Sequence, residues 1–167
     1  MPVTIRIAEE RDLPAIVDIY NQAIALGNAT ADVTPLSTRG KAGWLAEHKP
    51  TNHPVFVAES AGDVVGWCSL SPYRPGRMAL RYTAEISYYV HEDFRGKGIG
   101  SQLLGHAIAE SPNLGIKTLF AILLDINIPS VRLLEKFGFE KWGHLPNVAD
   151  FNGKECGHLY YGLRVKA

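Results

Sequence analysis

Two periodicities of apolar residues divide this chain into strands and helices. Alternation with a period of two marks strands, and apolar residues three or four positions apart mark helices. Strands are predicted at 3–8, 54–60, 63–71, 81–90 and 117–124, and near 139–145 and 157–165. Helices are predicted at 11–26, 37–48, 99–110 and 127–138. The order β-α-α-β-β-β-α-β-α-β-β predicts a mixed α/β fold, with helices on both faces of one sheet.

Particular residues mark the ends of these elements. Asp12 is predicted to cap the first helix, and Gly27 to end it. The "AGD" at 61–63 signals a hairpin between two strands, and Gly138 is expected to end the last helix. The segment 117–124 is almost wholly apolar, which predicts a central strand that is buried on both faces.

Length and charge narrow the possible functions. The 167 residues predict a single domain, 1–167, that buries its core without disulfides or metals. Lys plus Arg and Asp plus Glu both total 17, so the net charge is zero. General binding of nucleic acid or of an anionic membrane requires a basic excess, so neither partner is expected. Any site for an anion must therefore be local.

Cysteine and histidine usage gives no sign of disulfide or metal chemistry. Cys68 and Cys156 are far apart and outside any CxxC motif, which predicts two reduced, buried thiols. The six histidines are scattered without HExxH, so no metal site is predicted. No secretory leader and no apolar run of membrane-spanning length is visible. We expect a cytoplasmic protein.

The stretch "RGKGIG" at 95–100 lies between a predicted strand and a predicted helix. It fits neither the P-loop pattern nor the dinucleotide-binding GxGxxG pattern. Glycines nevertheless let successive backbone N–H groups turn toward an anion, and a following helix adds its positive N-terminal end. Two interpretations stay open from these residues: a phosphate or pyrophosphate site, or a tight turn with two solvated cations.

A carboxylate stands in the middle of the predicted strand 81–90. Thr83, Glu85, Ser87 and Tyr89 share one face by the two-residue period. Glutamate is depleted from strands, so its presence here calls for a reason. The pattern alone allows a half-exposed side chain on an edge strand or a general base.

Several motifs together resemble a known family. "RGKGIG" at a strand-to-helix junction resembles the coenzyme A pyrophosphate loop of the GCN5-related N-acetyltransferases. "DINIPSVRLLEKFGF" is similar to that family's second signature, and "YTAEISYYV" to its phosphinothricin and methionine sulfoximine acetyltransferase subgroup. The resemblance covers residues 3–165. It implies a mixed, mostly antiparallel sheet of about six to seven strands, acetyl-CoA as co-substrate, and a homodimer.

The resemblance also implies roles for individual residues. Glu85 corresponds to the subgroup's catalytic glutamate, the base that deprotonates a small-molecule amine. Residues expected to contact the coenzyme are Tyr88, Tyr89 and Val90 through main-chain groups, together with Arg95, Gly96, Lys97, Gly98, Ile99, Gly100, Ser101 and Asn127. Residues expected to bind the amine substrate are Arg74, Arg77, Glu85, Ile86 and Ser87. Asn127 could also act as a helix N-cap.

The chain departs from the family pattern in two places. Leu134 occupies the position of a tyrosine that many members use to protonate the leaving thiolate, so the general acid is left unassigned. The segment "NATADVTPLS" has Pro35 but no aromatic residue and no Glu, whereas the subgroup tends to carry an aromatic residue and an acidic-Pro pair there. Arg74 and Arg77 could clamp an acidic group of the substrate or lie in an exposed loop. A peptide or protein N-acetyltransferase and a non-catalytic coenzyme A-binding module remain alternative functions.

Overall fold

In the computed structural model, which describes residues 2–165, the strands form one sheet in the order β1-β2-β3-β4-β5-β7-β6. The strands are β1 (Thr4–Ile7), β2 (Val55–Ser60), β3 (Asp63–Pro72), β4 (Thr83–Val90), β5 (Thr118–Leu124), β6 (Glu140–Phe151) and β7 (Lys154–Arg164). The α-helices are α1 (Leu13–Leu26), α2 (Thr38–Glu47), α3 (Ile99–Glu110) and α4 (Ile128–Lys136). Met1, Lys166 and Ala167, the ends of the predicted domain, lie outside the described residues.

Helices cover both faces of the sheet, as predicted. Helices α1 and α2 pack on one face, where Ile16 and Tyr20 contact Trp67 in a shared apolar cluster. Helices α3 and α4 pack on the other face, where Leu104 and Leu134 belong to the larger cluster. Each fully buried leucine contributes about 1.5–3 kcal/mol through removal of its apolar surface from water. Amphipathic helices on two sides therefore fix the sheet as the central layer.

Strand pairing is antiparallel throughout the described sheet except between β4 and β5. That parallel ladder is short: it joins Thr83–Glu85 to Thr118–Phe120 and then stops. Both strands continue beyond it, to Val90 and to Leu124. The sheet consequently opens into a gap between β4 and β5 in its middle.

Asp12 occupies the N-cap position of α1 as predicted but its side chain does not cap the helix, whereas Gly27 ends α1 as expected with a left-handed φ of 84°. The Asp12 carboxylate makes no cap bond to α1 and instead accepts hydrogen bonds from Arg6 at 2.7 and 2.9 Å and from the Glu9 amide at 2.7 Å. Burial opposes ionisation of Asp12, but these donors outweigh it and lower its pKa. A charged donor on β1 holds this carboxylate more strongly than a neutral amide does.

The last two strands are longer than predicted. They form one hairpin that turns at Asn152 and Gly153, with left-handed φ angles of 55° and 88°. Asn-Gly is the preferred pair for such a turn because both positions require positive φ. The residues of β6 before this turn are mostly exposed, so burial imposes no clear alternation that would show the strand in the sequence.

The prediction for β5 is right about its position and wrong about its burial. The strand lies between β4 and β7, and Leu119 and Ala121 are buried against the α3–α4 side. Phe120 and Ile122 point to the other face and are only half-buried. Both cysteines are free and buried, as predicted.

Candidate active site

The open edge of β4 directs main-chain groups into the gap. The His91 amide donates to the Val65 carbonyl of β3, and successive strand residues direct their N–H and C=O groups to alternate edges. Tyr88 and Val90 therefore present theirs to the gap, where β5 no longer pairs. The Tyr89 carbonyl lies against Gly66 of β3, so the predicted main-chain contact fits Tyr88 and Val90 but not Tyr89.

The glycine loop joins this gap to the start of α3. Gly96 and Gly98 have left-handed φ angles of 76° and 80°, and Gly98 is the N-cap residue of α3. A Cβ at Gly98 would meet no atom within 4 Å, so open space lies above this backbone. A Cβ at Gly100 would come within 3.4 Å of Leu133 on α4. Gly96 and Gly98 thus provide the left-handed backbone of the turn, and Gly100 allows α3 and α4 to pack closely.

A cavity of about 510 Å³ runs along the loop and the gap. The sequence-predicted coenzyme residues that line it are Tyr88, Tyr89, Val90, Arg95, Gly96, Gly98, Ile99, Gly100, Ser101 and Asn127. Lys97 is not among the lining residues; its ammonium group lies 5.0 Å from the ring centre of Phe94. The side chain of Ile99 is buried in the core, so only its main chain is available to a ligand.

Sequence reasoning missed part of this cavity. The C-terminal part of α1 and the residues after it contribute Ala23, Leu26, Asn28 and Ala29. Ser130 on α4 also lines the cavity, and its Oγ lies 2.6 Å from the Tyr88 hydroxyl. Ser130 belongs to a motif that the sequence singled out, but no pattern places it beside residue 88. Asn127 accepts a hydrogen bond from the Ser130 amide at 3.4 Å and so caps α4.

Glu85 lies on the last rung before the gap, opposite Ser71 on β3 and Phe120 on β5. It is half-buried, and burial raises its pKa above the ordinary carboxylate value. The Ser71 hydroxyl lies 3.0 Å from Nε2 of His48. Nδ1 of that ring lies 2.7 Å from the Trp44 carbonyl, which can only accept, so Nδ1 carries the proton. The register thus places Glu85 beside a serine whose hydroxyl is hydrogen-bonded to a histidine ring.

The other predicted substrate residues are distributed differently. Ser87 shares the Glu85 face, whereas the Ile86 side chain is buried on the α3–α4 side. Both line a smaller cavity of about 60 Å³ within the gap. Arg74 and Arg77 are exposed in the loop between β3 and β4 and line neither of these two cavities. The structure therefore brings Ile86 and Ser87 to the gap but does not bring the two arginines into it.

Aromatic rings surround Phe120 on the face that carries Glu85. Their centroids lie 5.0 Å (Tyr73), 5.4 Å (Trp142) and 6.0 Å (Tyr160) from that of Phe120. The Trp142 ring lies directly over Gly162, where a Cβ would come within 2.0 Å of it. These residues are scattered over four strands or loops in the sequence, so only the fold assembles them.

Within residues 2–165, no three His, Cys, Asp or Glu side chains are grouped so that they could hold a metal ion. None of the described helices is long and apolar enough to cross a bilayer.

Comparison with known proteins identifies the family. The sequence model of the family described as "Acetyltransferase (GNAT) family" matches residues 16–139. The chain belongs to this family. It is an acetyl-CoA-dependent N-acetyltransferase, and the predicted GNAT fold is confirmed by solved structures that share it. The cavity fits this co-substrate because a glycine loop with open space at Gly98 leads to the unpaired main chain of Tyr88 and Val90.

Several relatives of this GNAT protein are similar to it over most of the chain. It is 44% identical to "Putative phosphinothricin acetyltransferase YwnH" of Bacillus subtilis, over 98% of this chain and 96% of that one. It is 36% identical to an L-methionine sulfoximine/L-methionine sulfone acetyltransferase of Pseudomonas paraeruginosa, over 92% and 90%. The phosphinothricin acetyltransferase of Sinorhizobium meliloti, solved in complex with acetyl-CoA, superposes with a TM-score of 0.93 at 29% identity, covering 99% and 90%.

Proposed function

We propose that this enzyme acetylates the primary amine of a small amino acid or analogue of the phosphinothricin, methionine sulfoximine or methionine sulfone type, with Glu85 as general base. The observation that carries the proposal is the position of Glu85 at the rung where the β4–β5 ladder ends. A half-buried carboxylate there stands at the entrance of the gap that Tyr88 and Val90 line. The names of the relatives support the substrate class.

The chemistry requires a base because an amine is protonated at neutral pH and then has no lone pair for attack. Glu85 takes that proton, directly or through one water, and the free amine attacks the thioester carbonyl of acetyl-CoA. The raised pKa of Glu85 brings the carboxylate closer to the working pH, which makes it a better base. The Val90 N–H, directed into the gap, polarises the carbonyl as charge develops on its oxygen.

The glycine loop is proposed to hold the pyrophosphate. Arg95 and Lys97 supply charge, and the backbone of Gly96, Gly98 and Gly100 supplies N–H groups at the N-terminus of α3. Ile99 and Ser101 contribute through the first turn of that helix, and Asn127 lines the same cavity from α4. Main-chain groups of Tyr88 and Val90 pair with the pantetheine arm as a missing strand would.

Recognition of the acceptor is proposed to involve the rim of the gap. Arg74 and Arg77 lie exposed in the β3–β4 loop and are proposed to bind an acidic group of the substrate. Ile86 and Ser87 line the inner end of the gap. We also propose that residues 1–167 act as a single domain that forms a homodimer. The exposed apolar side chains of Trp142, Leu145 and Val148 on β6 offer a surface for the partner.

An acceptor screen tests the proposal. Purified enzyme with acetyl-CoA is offered methionine sulfoximine, methionine sulfone, phosphinothricin, the free amino acids and a peptide panel, and thiol release is measured. Turnover of the amino-acid analogues supports the proposal, and turnover of peptides alone would replace it with peptide N-acetylation. Calorimetric binding of acetyl-CoA without transfer to any amine would indicate a binding module. Light scattering coupled to gel filtration tests the dimer.

A further inference from the structure

The reaction leaves one proton transfer without a donor. When the amide forms, the carbon–sulfur bond breaks and the electron pair stays on the coenzyme A sulfur. Leu134 stands where the family pattern would supply a tyrosine hydroxyl, and its side chain is only 1% exposed within the α3–α4 core. Leucine cannot donate a proton, so a donor must come from elsewhere in the gap.

Tyr88 places a hydroxyl next to the position that Leu134 leaves apolar. Its side chain points to the α4 side of the sheet, and its Oη lies 2.6 Å from Ser130 Oγ. Tyr88, Ser130 and Asn127 line both the cavity along the glycine loop and the small cavity in the gap. Leu134 lines the small cavity as well. The Tyr88 phenol on β4 and the Ser130 hydroxyl on α4 therefore lie together where the two cavities share their lining.

The surroundings of Tyr88 suit a proton donor. Burial raises its pKa to about 12, while the hydrogen bond with Ser130 acts in the opposite direction. The phenol is thus protonated at any physiological pH. When it gives up its proton, the Ser130 O–H can donate to the phenolate oxygen and stabilise it. Ser130 is itself held in place because its amide donates to Asn127.

We propose that Tyr88 is the general acid that protonates the leaving sulfur, and that Ser130 is the residue that positions and recharges it. The inference rests on the proposed function. As the carbon–sulfur bond breaks, the proton on Tyr88 Oη moves to the sulfur. Ser130 then passes its hydroxyl proton to the phenolate and recovers one from water in the cavity. The ammonium form of the amine loses two protons in the reaction: Glu85 takes the first before attack, and water in the gap takes the second from the nitrogen as the amide forms. One of these protons makes good the proton that Ser130 draws from water, and the other is released to solvent, so the cycle balances without any further reactant.

Substitution of Tyr88 tests the contact with the sulfur without any turnover. Calorimetry compares coenzyme A with desulfo-coenzyme A, which lacks the sulfur, between pH 7 and pH 9.5. A hydroxyl that donates to the thiolate makes wild type favour coenzyme A increasingly as the thiol ionises, by about 10-fold or more. Y88F is expected to lose this preference while its affinity for desulfo-coenzyme A is unchanged. An equal preference in Y88F and wild type would overturn the proposal.

Kinetics give the second readout. Y88F is expected to lower kcat by about 10² or more, the usual weight of general acid catalysis, with little change in the KM for acetyl-CoA. S130A should lower kcat less than Y88F does, and S130T should retain the wild-type kcat because it keeps the hydroxyl. The double variant Y88F/S130A should be no slower than Y88F, because Tyr88 and Ser130 act on the same proton. Y161F is the matched control, since Tyr161 is a buried tyrosine of the same core outside the cavity. A kcat of Y88F equal to that of wild type would also overturn the proposal.

The two hypotheses fail in different ways. If wild type transfers acetyl to no amine in the screen, the proposed function fails, and the comparison with desulfo-coenzyme A still decides whether Tyr88 contacts the sulfur. If wild type is active and Y88F retains both its rate and its pH-dependent preference, only the assignment of Tyr88 fails.

Discussion

Glu85 and Phe120 form the last rung of the parallel ladder between β4 and β5. Up to this rung the backbone of β4 is paired on both edges, and beyond it one edge is open to a ligand. The proposed base therefore stands where the coenzyme would take over the pairing from β5. The end of the β4–β5 ladder is therefore the point where the proposed acceptor site meets the proposed coenzyme site.

Replacement of Glu85 by glutamine should separate binding from chemistry. E85Q is expected to bind acetyl-CoA as wild type does, because Glu85 lies outside the lining of the coenzyme cavity. Its kcat should fall by about 10²–10⁴ because the amide cannot accept the proton. Stopped-flow or thiol-release assays give kcat, and calorimetry gives the affinity. Full activity in E85Q would remove this residue from the mechanism.

The contribution of Glu85 to the free energy of unfolding should decrease as pH rises. The raised folded-state pKa means that the folded chain keeps this proton to higher pH than the unfolded chain. Its stabilising contribution is full below the unfolded pKa and is lost as pH rises through the folded pKa. E85Q is therefore expected to melt at a higher temperature than wild type at pH 8 and at the same temperature at pH 4. The acid limb of kcat/KM in wild type should lie above the ordinary glutamate range for the same reason.

Gly98 should be indispensable for the coenzyme and not only for the turn. G98V adds a branched side chain to the open space above the loop and strains a φ of 80°. We expect acetyl-CoA affinity to fall below detection by calorimetry. G115V is the matched control: Gly115 has a φ of 78° and equally open surroundings, but it lies outside the cavity. Both variants should lose thermal stability, and a parallel loss of affinity in G115V would point to strain alone.

Restoring the missing tyrosine should help little. L134Y introduces a larger side chain at a position that is 1% exposed, so it should cost about 1–3 kcal/mol of unfolding free energy through overpacking. Its kcat should remain close to that of wild type because Tyr88 already supplies the proton. Urea denaturation and steady-state kinetics measure the two effects. A large gain in kcat would mean that the wild-type site lacks an acid.

The contact between Trp142 and Gly162 should show strong coupling. G162A places a Cβ within 2.0 Å of the Trp142 ring, so the ring or the hairpin must shift. We expect a loss of about 1–3 kcal/mol in unfolding free energy. W142A removes the clash, so W142A/G162A should be about as stable as W142A alone. Additive losses in this double-mutant cycle would show that the two residues act independently.

Much of the fold could be predicted because its signals are local. The helices α1 to α4 and the first five strands were found from apolar spacing and from residues such as Gly27 that end an element. The hairpin arms around Asn152 were predicted too short because their exposed side chains follow no burial pattern. Asp12 was assigned to the wrong partner because Arg6 reaches it only after β1 and the start of α1 are brought together.

The parts of the candidate site that could be predicted are those whose residues lie within one short sequence motif. The glycine loop and Asn127 line one cavity, as their motifs implied. The Tyr88–Ser130 pair joins residues 42 positions apart, and Phe120 and the three rings around it come from four separate segments. Sequence patterns contain no information about such pairs because they depend on strand register and helix placement.

The sequence by itself determined the family, the co-substrate and the residue types that the chemistry needs, since these reside in short runs with fixed spacing. Only the tertiary structure decided where the β4–β5 ladder stops, which main-chain groups face the gap and which hydroxyl stands beside Leu134. The physical reason is that pairing between strands ends where packing of distant residues draws them apart, and no local preference specifies that point.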